Sequence, residues 1–407
     1  MRVVFSMEQP RFEYRSNGVS RVCQIQMDCM KELGHVTHLV IPRYPGAVAE
    51  ENDILLPSRL LSEKDNYYIT DPLQYLSIHP QLLEYCLEIQ PDLFYLNGPY
   101  WTAMHLASIA RKMGVPYIIH LHTDIRGYAL ARSPGIGGEI GSWAMFSLAK
   151  GIVKNASERV YPSVFYQDVF VTQSGCNKSS EVLPTVIPVF PLMTKGERGR
   201  FSLQFRSDWD LPFNEERYPL IILNGRVQRE KGLDKAIYHL KSLSDRCQSG
   251  PDFHRIPYLV FVGGYGPKYK QELEDLAQSF GLKSRIRFTG EVKNPELLKI
   301  NQIAWLLWFV STTDTQGLVL VEAAACGLPV MGRKDQVFHE FFPDDFLSVD
   351  DSASNSDDWG RKTRFLLESP SLHREKAAYC QGKAKLYTDI AGYQERYMGI
   401  IERVAIC

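Results

Sequence analysis

The sequence predicts an α/β protein made of two domains, each containing a doubly wound parallel sheet. Strand-like apolar runs alternate with helix-like stretches along the whole chain, which is the pattern of parallel βαβ units. The alternation restarts at Pro219 after a segment rich in Pro, Gly and charge, Pro188–Gly199. The length of 407 residues also exceeds that of one ordinary domain, so two domains are expected.

The elements of the two halves follow in chain order. The first domain has predicted strands at Arg2–Met7, Val36–Pro42, Asp92–Asn97, Pro116–His122 and Arg159–Ser163, with helices at Val19–Leu33 and Thr102–Met113. The second has predicted strands at Pro219–Leu223, Tyr258–Gly263, Ser284–Thr289, Ala304–Val310 and Leu328–Met331. Two helices are expected over Leu372–Cys407. The expected boundaries are a first Rossmann-like domain at residues 1–190, a linker region at 191–216, a second Rossmann-like domain at 217–385 and a C-terminal helix at 386–407.

Composition excludes several classes of protein. A net charge of −1 argues against a dedicated nucleic-acid binder, which would carry a basic excess. No apolar run approaches the ~18 residues of a membrane span, and the apolar run at the N-terminus is shorter than that of a signal peptide. The 8 cysteines contain no C-x-x-C pair, so we expect reduced thiols, no zinc site and a cytoplasmic location.

The stretch Thr312–Arg333 contains the main functional signal. Asp314 is expected in a loop at the carboxyl end of a strand, and Glu322 is expected on the helix Gly317–Ala325. Ligands of open α/β sheets bind at this edge, and the free amides at a helix N-terminus favour an anion. The amides in question belong to Thr315, Gln316, Gly317 and Leu318. Two carboxylates beside a phosphate site suit a nucleotide sugar; the alternative is a capped helix with a surface acid.

Two cations precede the next predicted helix of the second domain. Arg226 and Lys231 lie in a loop between Gly225 and Gly232, directly after the first strand of that domain. An Arg fork and a Lys point charge together suit a diphosphate. The alternative is a solvated basic loop that Glu230 neutralises.

Two histidines end the fourth predicted strand of the first domain. His120 and His122 alternate along it and so share one face, with Asp124 close behind. A metal site and a pair of core histidines are both open readings. Asp208-Trp-Asp210 could also bind a cation, but it lies beside the linker and away from any strand end, so we expect no metal site at that segment.

These segments resemble the retaining GT-B glycosyltransferases of family four. Asp314-x7-Glu322 followed by Ala-Ala-Ala-Cys-Gly-Leu-Pro-Val resembles the E-x7-E signature of that family, with Asp in place of the first Glu. Gly225–Gly232 resembles its Gly-Arg-x-x-x-x-Lys-Gly loop, and His122-Thr-Asp resembles its His-Thr-Asp segment. The resemblance implies a GT-B fold, two Rossmann-like domains facing a cleft, with the last helix returning to the first domain.

The resemblance also implies a role for each site residue. Asp314 and His122 would contact the donor sugar, and Arg226 and Lys231 its diphosphate. Glu322 would bind the ribose, Gly18 would let backbone approach the diphosphate, and Arg287 and Phe288 would contact the base. No metal or other cofactor is implied, because the nucleotide sugar is a substrate.

The predicted function is therefore hexosyl transfer from a nucleotide sugar to a glycan or lipid-linked acceptor, in surface polysaccharide or glycolipid synthesis. Thr-Asp-Thr-Gln-Gly resembles the Thr-Glu-Thr-Gln-Gly of glucosyltransferases, which favours UDP-glucose. A GT-B sugar-nucleotide epimerase and a non-catalytic nucleotide-sugar-binding protein are the alternatives. The stretch Gly141–Arg159 is expected to be a core helix or, alternatively, a helix that contacts a membrane surface at its inner face.

Overall fold

The computed structural model describes residues 1–8, 18–44, 51–62, 67–70, 80–127, 136–248, 256–351 and 357–405. The chain divides into two compact units. The first unit comprises Met1–Thr185 and Ala391–Cys407, and the second comprises Val186–Ile390.

The first unit alternates strands and helices. Its strands are β1 Arg2–Ser6, β2 Val36–Pro42, β3 Asp53–Leu56, β4 Ser58–Ser62, β5 Tyr67–Thr70, β6 Leu93–Asn97, β7 Tyr117–His120, β8 Glu158–Tyr161 and β9 Glu181–Val182. Its helices are α1 Gly18–Glu32, α2 Pro80–Ile89, α3 Trp101–Met113, α4 Ile136–Asn155 and α5 Val164–Ser174.

The second unit follows the same pattern. Its strands are β10 Leu220–Asn224, β11 Tyr258–Val262, β12 Ile286–Gly290, β13 Leu306–Phe309, β14 Val330–Arg333 and β15 Ser348–Val349. Its helices are α6 Lys195–Asp208, α7 Leu233–Gln248, α8 Pro267–Ser279, α9 Asn294–Ile303, α10 Leu318–Ala325, α11 Val337–Phe341, α12 Asp358–Glu368 and α13 Pro370–Ala384, and the chain continues into α14, Ile390–Ala405. Short 3₁₀ turns lie at Arg229–Lys231, Lys283–Arg285 and Lys385–Tyr387.

Each unit contains one parallel sheet. In each sheet the chain first adds strands on one side of the first strand and then crosses over to add strands on its other side. The first sheet has the order β3-β2-β1-β6-β7-β8-β9, and β4 and β5 form a separate antiparallel pair. The second sheet has the order β12-β11-β10-β13-β14-β15. The reversals fall between β1 and β6 and between β10 and β13, and the crevice at such a reversal is where open α/β sheets bind their ligands.

The predicted fold class is confirmed by these two sheets. The predicted strands are found within a few residues of their expected ends because they are apolar runs buried on both faces, as β13 shows with four buried residues. The short strands β9 and β15 were not predicted, since two residues carry no periodic signal.

The predicted linker region, residues 191–216, contains the helix α6. Thr194 and Glu197 form a capping box that begins α6: the Thr194 hydroxyl accepts from the Glu197 amide, and Glu197 accepts from the Thr194 amide at 2.8 Å. Pro, Gly and charge near residue 190 hid this signal, although Thr-x-x-Glu is itself a helix-start signature.

The last helix, α14, belongs to the first unit by its contacts. Gln394 donates to Glu32 at 2.8 Å and Arg403 to Glu181 at 2.6 Å. The ring of Tyr397 packs edge-on against Tyr95, with centroids 5.4 Å apart. Across the ranges that the structure covers, no helix combines the length and the apolar character needed to cross a membrane.

Candidate active site

The loops after β10 and β13 meet at the reversal point of the second sheet. The two strands are hydrogen-bonded neighbours, with Ile221 opposite Leu306 and Ile222 opposite Leu307. A pocket at their carboxyl ends is lined by both loops and the strands below them. The lining residues are Leu223, Asn224, Gly225, Arg226, Lys231, Leu233, Trp308, Phe309, Val310, Ser311, Asp314 and Val319. The structure therefore brings Arg226, Lys231 and Asp314 together in one pocket, as the sequence predicted.

Lys231 is aimed into this pocket by the turn that it ends. Arg229–Lys231 forms a 3₁₀ turn, and Gly232 closes it in the left-handed region with φ of 60°. A residue with a Cβ rarely adopts that conformation, so Gly232 is the residue that lets α7 begin immediately after the turn. The Thr313 hydroxyl donates to the carbonyl of Glu230 at 3.1 Å and so ties the second loop to the same turn.

Lys231 and Asp314 form an ion pair across the two loops. The Lys231 Nζ lies 2.8 Å from one Asp314 carboxylate oxygen and 2.9 Å from the other, and each side chain is less than a quarter exposed. Burial alone would raise the pKa of Asp314, but Lys231, a hydrogen bond from Ser311 and the Arg226 guanidinium together hold that pKa below its usual value. Asp314 is therefore a carboxylate at neutral pH, with Lys231 as its main counter-charge.

Arg226 is the more accessible cation of the pocket. Its side chain is 43% exposed, and its Nη2 atom lies 3.8 Å from the buried carboxylate of Glu230. A separation of 3.8 Å leaves the guanidinium able to turn toward an incoming anion. The solvated-loop alternative is thus partly right, because Glu230 does neutralise charge here, yet Arg226 and Lys231 both line the pocket.

The helix that follows Asp314 begins at the predicted place. Asp314 precedes α10, and Gly317 is its N-cap residue with φ of 74° and no side-chain cap hydrogen bond. A Cβ on Gly317 would lie 3.1 Å from the ring of Phe309, so both the conformation and the space favour glycine. Thr315 and Gln316 are buried beside this helix start, and Leu318 is its first residue.

Glu322 lies on α10 and is 4% exposed. The Asn294 side chain, at the start of α9, lies 3.4 Å from its Oε1 atom. Asn294 was not predicted as a site residue, because no motif links it to α10.

His122 lies in the first unit, just after β7. Its Nε2 atom is 2.9 Å from Asn97 Oδ1, at the end of β6, and its ring lies 3.9 Å from the ring of His120. Burial lowers the pKa of His122 to about 3, so the ring is neutral at physiological pH. The core-histidine reading holds for His120, which is fully buried and whose Nδ1 atom contacts Gln26 at 2.9 Å and Tyr95 at 3.1 Å.

Arg287 and Phe288, the residues predicted to contact the base, both make contacts within the second unit. The Arg287 guanidinium donates to the carbonyls of Trp209 at 2.7 Å and Asp210 at 2.8 Å, near the amino end of β12. Phe288 is 7% exposed and stacks on Phe261, with centroids 4.6 Å apart. Arg287 therefore braces the loop after α6, and Phe288 packs in the core of the second unit; their contact with a base stays a prediction.

Gly18 is the first residue of α1, and the rest of its predicted loop, including Asn17, lies outside the described residues. Asp208, the first acid of the Asp-x-Asp segment, ends α6. Among the residues that the structure describes, no group of three His, Cys, Asp or Glu side chains is arranged to hold a metal ion.

Two family models match the chain. Residues 206–386 match "Glycosyl transferases group 1", and residues 17–184 match "Glycosyl transferase 4-like domain". The first of these segments contains strands β10 to β15 of the second sheet, and the second contains strands β2 to β9 of the first unit.

Individual proteins agree with these family models. The chain is 26% identical over 286 residues to the sulfoquinovosyl transferase SQD2 of Arabidopsis thaliana, an alignment covering 69% of this chain and 49% of the plant protein. It is 24% identical over 327 residues to the alpha-monoglucosyldiacylglycerol synthase of Acholeplasma laidlawii, covering 77% of this chain and 76% of that one. This chain thus spans about half of the length of the plant relative.

A solved structure has the same fold. Anabaena HepE in complex with UDP-glucose superposes with a TM-score of 0.73 at 16% identity, covering 99% of this chain and 100% of HepE. At that identity the similarity establishes the architecture alone.

Proposed function

We propose, from the premise that this chain belongs to the GT-B glycosyltransferases with a group 1 and a 4-like domain, that it is a retaining hexosyltransferase. It transfers a sugar from a nucleotide sugar, UDP-glucose, to a hydroxyl of a glycan or lipid-linked acceptor in surface polysaccharide or glycolipid synthesis. The observation that carries the proposal is the Lys231–Asp314 ion pair at the reversal point of the second sheet. In this proposal the cation serves the diphosphate and the adjacent carboxylate serves the sugar.

Lys231 and Arg226 bind the diphosphate of the donor. A departing nucleoside diphosphate gains negative charge, and a cation at ~4 Å is worth on the order of 4 kcal/mol at an effective dielectric constant near 20. Only the part felt more strongly in the transition state accelerates the reaction, at about tenfold for each 1.4 kcal/mol. The amides at the start of α10 add fixed positive dipoles to the same place.

Asp314 and Glu322 hold the hydroxyl-bearing parts of the donor. An Asp314 carboxylate accepts hydrogen bonds from sugar hydroxyls, while Lys231 screens its charge from the phosphates. Glu322, with Asn294 beside it, accepts from the ribose. His122 is neutral in our proposal and contacts the sugar without adding charge.

The proposed reaction retains the configuration of the sugar. The acceptor hydroxyl attacks the face that the diphosphate leaves, and the leaving phosphate oxygen takes the proton of that hydroxyl. The sequence offers no carboxylate pair arranged for a double displacement. Because Lys231 and Arg226 supply the positive charge, we propose that turnover needs no metal ion.

UDP-glucose is the proposed donor for two reasons. Thr312–Gly317 contains the Thr-Asp-Thr-Gln-Gly segment that is similar to that of glucosyltransferases. HepE, which shares the architecture, was solved with UDP-glucose, and the relative from Acholeplasma laidlawii is named as a monoglucosyldiacylglycerol synthase.

Helix α4 favours a lipid-linked acceptor. Its outer surface leaves Trp143 67%, Ile140 65% and Leu148 49% exposed, whereas Phe146 on the opposite side is buried. Lys150 and Lys154 are exposed on the same helix. An apolar surface flanked by lysines suits the boundary of an anionic membrane, so this helix is the proposed membrane contact.

The proposal is tested by incubating the full chain with a panel of nucleotide sugars and following released nucleotide and sugar product. We expect UDP release with UDP-glucose, undiminished in EDTA, accompanied by slow hydrolysis or by transfer to an added acceptor with the α-anomeric configuration retained. An isomerised nucleotide sugar would identify an epimerase, and binding without turnover would identify a binding protein; either result excludes the transferase.

The acceptor part is tested with vesicles. We expect the wild type to bind vesicles with anionic phospholipid more tightly than neutral ones, and Trp143→Glu to lose most of that binding. Tyr238→Glu serves as a matched control, because Tyr238 is also exposed but lies on α7 of the second unit. Equal binding by both variants and the wild type would exclude α4 as the membrane contact.

A further inference from the structure

A second cavity lies in the second unit at the amino ends of the strands, on the sheet edge opposite Asp314. It has a volume of about 190 Å³, well above the space that one water needs. Its walls come from α6, α9, the segments that lead into β10, β13 and β14, and the start of α13. The residues that the argument uses are Arg198, Arg206, Glu215, Asn301, Cys326 and His373.

Arg206 presents an unpaired N–H at this cavity. The residue is 1% exposed, and its Nη1 and Nη2 atoms donate to the carbonyls of Pro212 at 2.6 Å and Tyr218 at 3.2 Å. Its Nε atom has no hydrogen-bond partner within the described part of the chain. Buried donors are nearly always satisfied, so an unpaired guanidinium N–H in a cavity wall indicates a missing acceptor.

Asn301 presents a second such donor. It is 1% exposed, and its Oδ1 atom accepts from Asn224 at 2.8 Å, which orients the amide. Its Nδ2 atom has no hydrogen-bond partner among the residues that the structure describes. Burial raises the pKa of the neighbouring Cys326 thiol to about 12 despite its contact with the Asn301 side chain, so this neighbour is a neutral thiol and at most a weak acceptor.

The charge of the cavity wall favours a negative ligand. Arg198 and Arg206 are the two cations that line it, against one carboxylate, Glu215, which accepts a hydrogen bond from the Ser202 hydroxyl. His373 lies 2.7 Å from the carbonyl of Trp305 through Nε2, and burial lowers its pKa, so it is neutral at physiological pH. The wall thus has a net positive charge.

We propose that this cavity binds a small oxyanion, the phosphate or carboxylate group of a small metabolite. Arg206 Nε and Asn301 Nδ2 donate to its oxygens, and Arg198 adds charge at the cavity mouth. Water alone would satisfy single donors, but an oxyanion also offsets the positive charge that remains after Glu215 compensates one of the two arginines. The site is separate from the donor pocket and does not depend on the proposed transferase activity.

The test is calorimetric titration of the full chain with inorganic phosphate, with acetate and with glycerol as a neutral comparison. We expect phosphate, acetate or both to bind and glycerol not to bind; the tighter of the two anions identifies the head group. Asn301→Asp should weaken binding about tenfold or more, because a carboxylate replaces the donor. Arg198→Ala should weaken it several-fold with little risk to folding, since Arg198 is exposed.

Two controls make the result decisive. Arg200 lies on the same helix as Arg198, is also exposed and does not line the cavity. Arg200→Ala should therefore bind the anion as tightly as the wild type. Lys231→Ala removes a cation of the donor pocket and should leave the phosphate binding of this cavity intact. The proposal is overturned if neither anion binds, if Arg200→Ala weakens binding as much as Arg198→Ala, or if Lys231→Ala abolishes binding while Asn301→Asp preserves it.

Discussion

The ammonium group of Lys231 contacts both carboxylate oxygens of Asp314, at 2.8 Å and 2.9 Å. The two residues are 83 positions apart in the chain, and only the adjacency of β10 and β13 brings them together. Each charge of the pair therefore has a counter-charge in the chain itself. In the proposed complex a diphosphate would share Lys231 with Asp314.

Asp314→Asn should lower turnover and leave UDP affinity near that of the wild type. The amide keeps the size of the side chain but loses the charge that orients sugar hydroxyls. We expect kcat to fall about tenfold or more, equivalent to ~1.4 kcal/mol of transition-state stabilisation. Steady-state kinetics measure kcat, and calorimetry measures UDP affinity. An equal loss of both would show that Asp314 has a different role.

Lys231→Ala should weaken UDP binding about tenfold or more, because it removes a cation worth up to ~4 kcal/mol beside the phosphates. Uridine, which lacks phosphate, should bind as before. Lys241→Ala is the matched control, since Lys241 pairs with Asp245 on the surface of α7. Loss of uridine binding in the Lys231 variant would indicate a general disruption of the pocket.

Arg287→Ala should destabilise the fold without changing UDP affinity. Its guanidinium donates to backbone carbonyls, including those of Trp209 and Asp210, and losing such bonds costs about 2–3 kcal/mol. Arg226→Ala should instead weaken UDP binding and leave the stability of the fold near that of the wild type, because Arg226 is 43% exposed and lines the pocket. Urea unfolding measures the stability of both variants, and UDP titration measures their affinity. Weaker UDP binding by folded Arg287→Ala would instead support the predicted contact of Arg287 with the base.

Asn97 should act as a positioning residue for His122. Its Oδ1 atom lies 2.9 Å from His122 Nε2 and would hold the proton on that nitrogen. Asn97→Leu removes the acceptor, so we expect kcat to fall about tenfold with little change in KM. Asn97→Asp keeps the acceptor and should retain most turnover.

The tautomer gives an independent readout for that pair of variants. Nitrogen-15 NMR of the imidazole should show His122 protonated at Nε2 in the wild type and in Asn97→Asp, and a tautomer mixture in Asn97→Leu. An unchanged His122 signal in Asn97→Leu would leave Asn97 without the role assigned here.

Stability should fall as the pH is lowered below ~6.5. Burial lowers the pKa of His122 and of His239 to about 3 each, while in the unfolded chain these rings titrate near ~6.5. Between these values the unfolded state binds more protons, so the free energy of unfolding decreases by about 1.4 kcal/mol per pH unit for each ring.

His239→Gln isolates one of these contributions. His239 stacks on Trp359, with centroids 4.9 Å apart, and lies outside the lining of the donor pocket. At pH values well below ~6.5, urea unfolding should show a slope shallower by about 1.4 kcal/mol per unit in the variant. A slope equal to that of the wild type would mean that His239 can protonate in the folded protein.

The sequence by itself determined the two sheets and the strand ends that carry the pocket. Strands such as Leu306–Phe309 are buried on both faces, so their apolar runs identify them without any knowledge of neighbours. Because these strands could be identified from the sequence, the motifs that contain Asp314 and Lys231 could be placed at the carboxyl ends of strands.

Only the tertiary structure decided which side chains those ends bring together and which polar groups serve the fold. Arg287 and Lys231 are both cations in motif-like segments. Arg287 donates to backbone carbonyls of a distant loop, whereas Lys231 contacts a carboxylate from a neighbouring strand end. Asn294 and Asn97 carry no local signal, because their partners lie on elements remote in sequence. Hydrophobic periodicity is a local property, whereas the satisfaction of a buried polar group depends on whatever the fold places next to it.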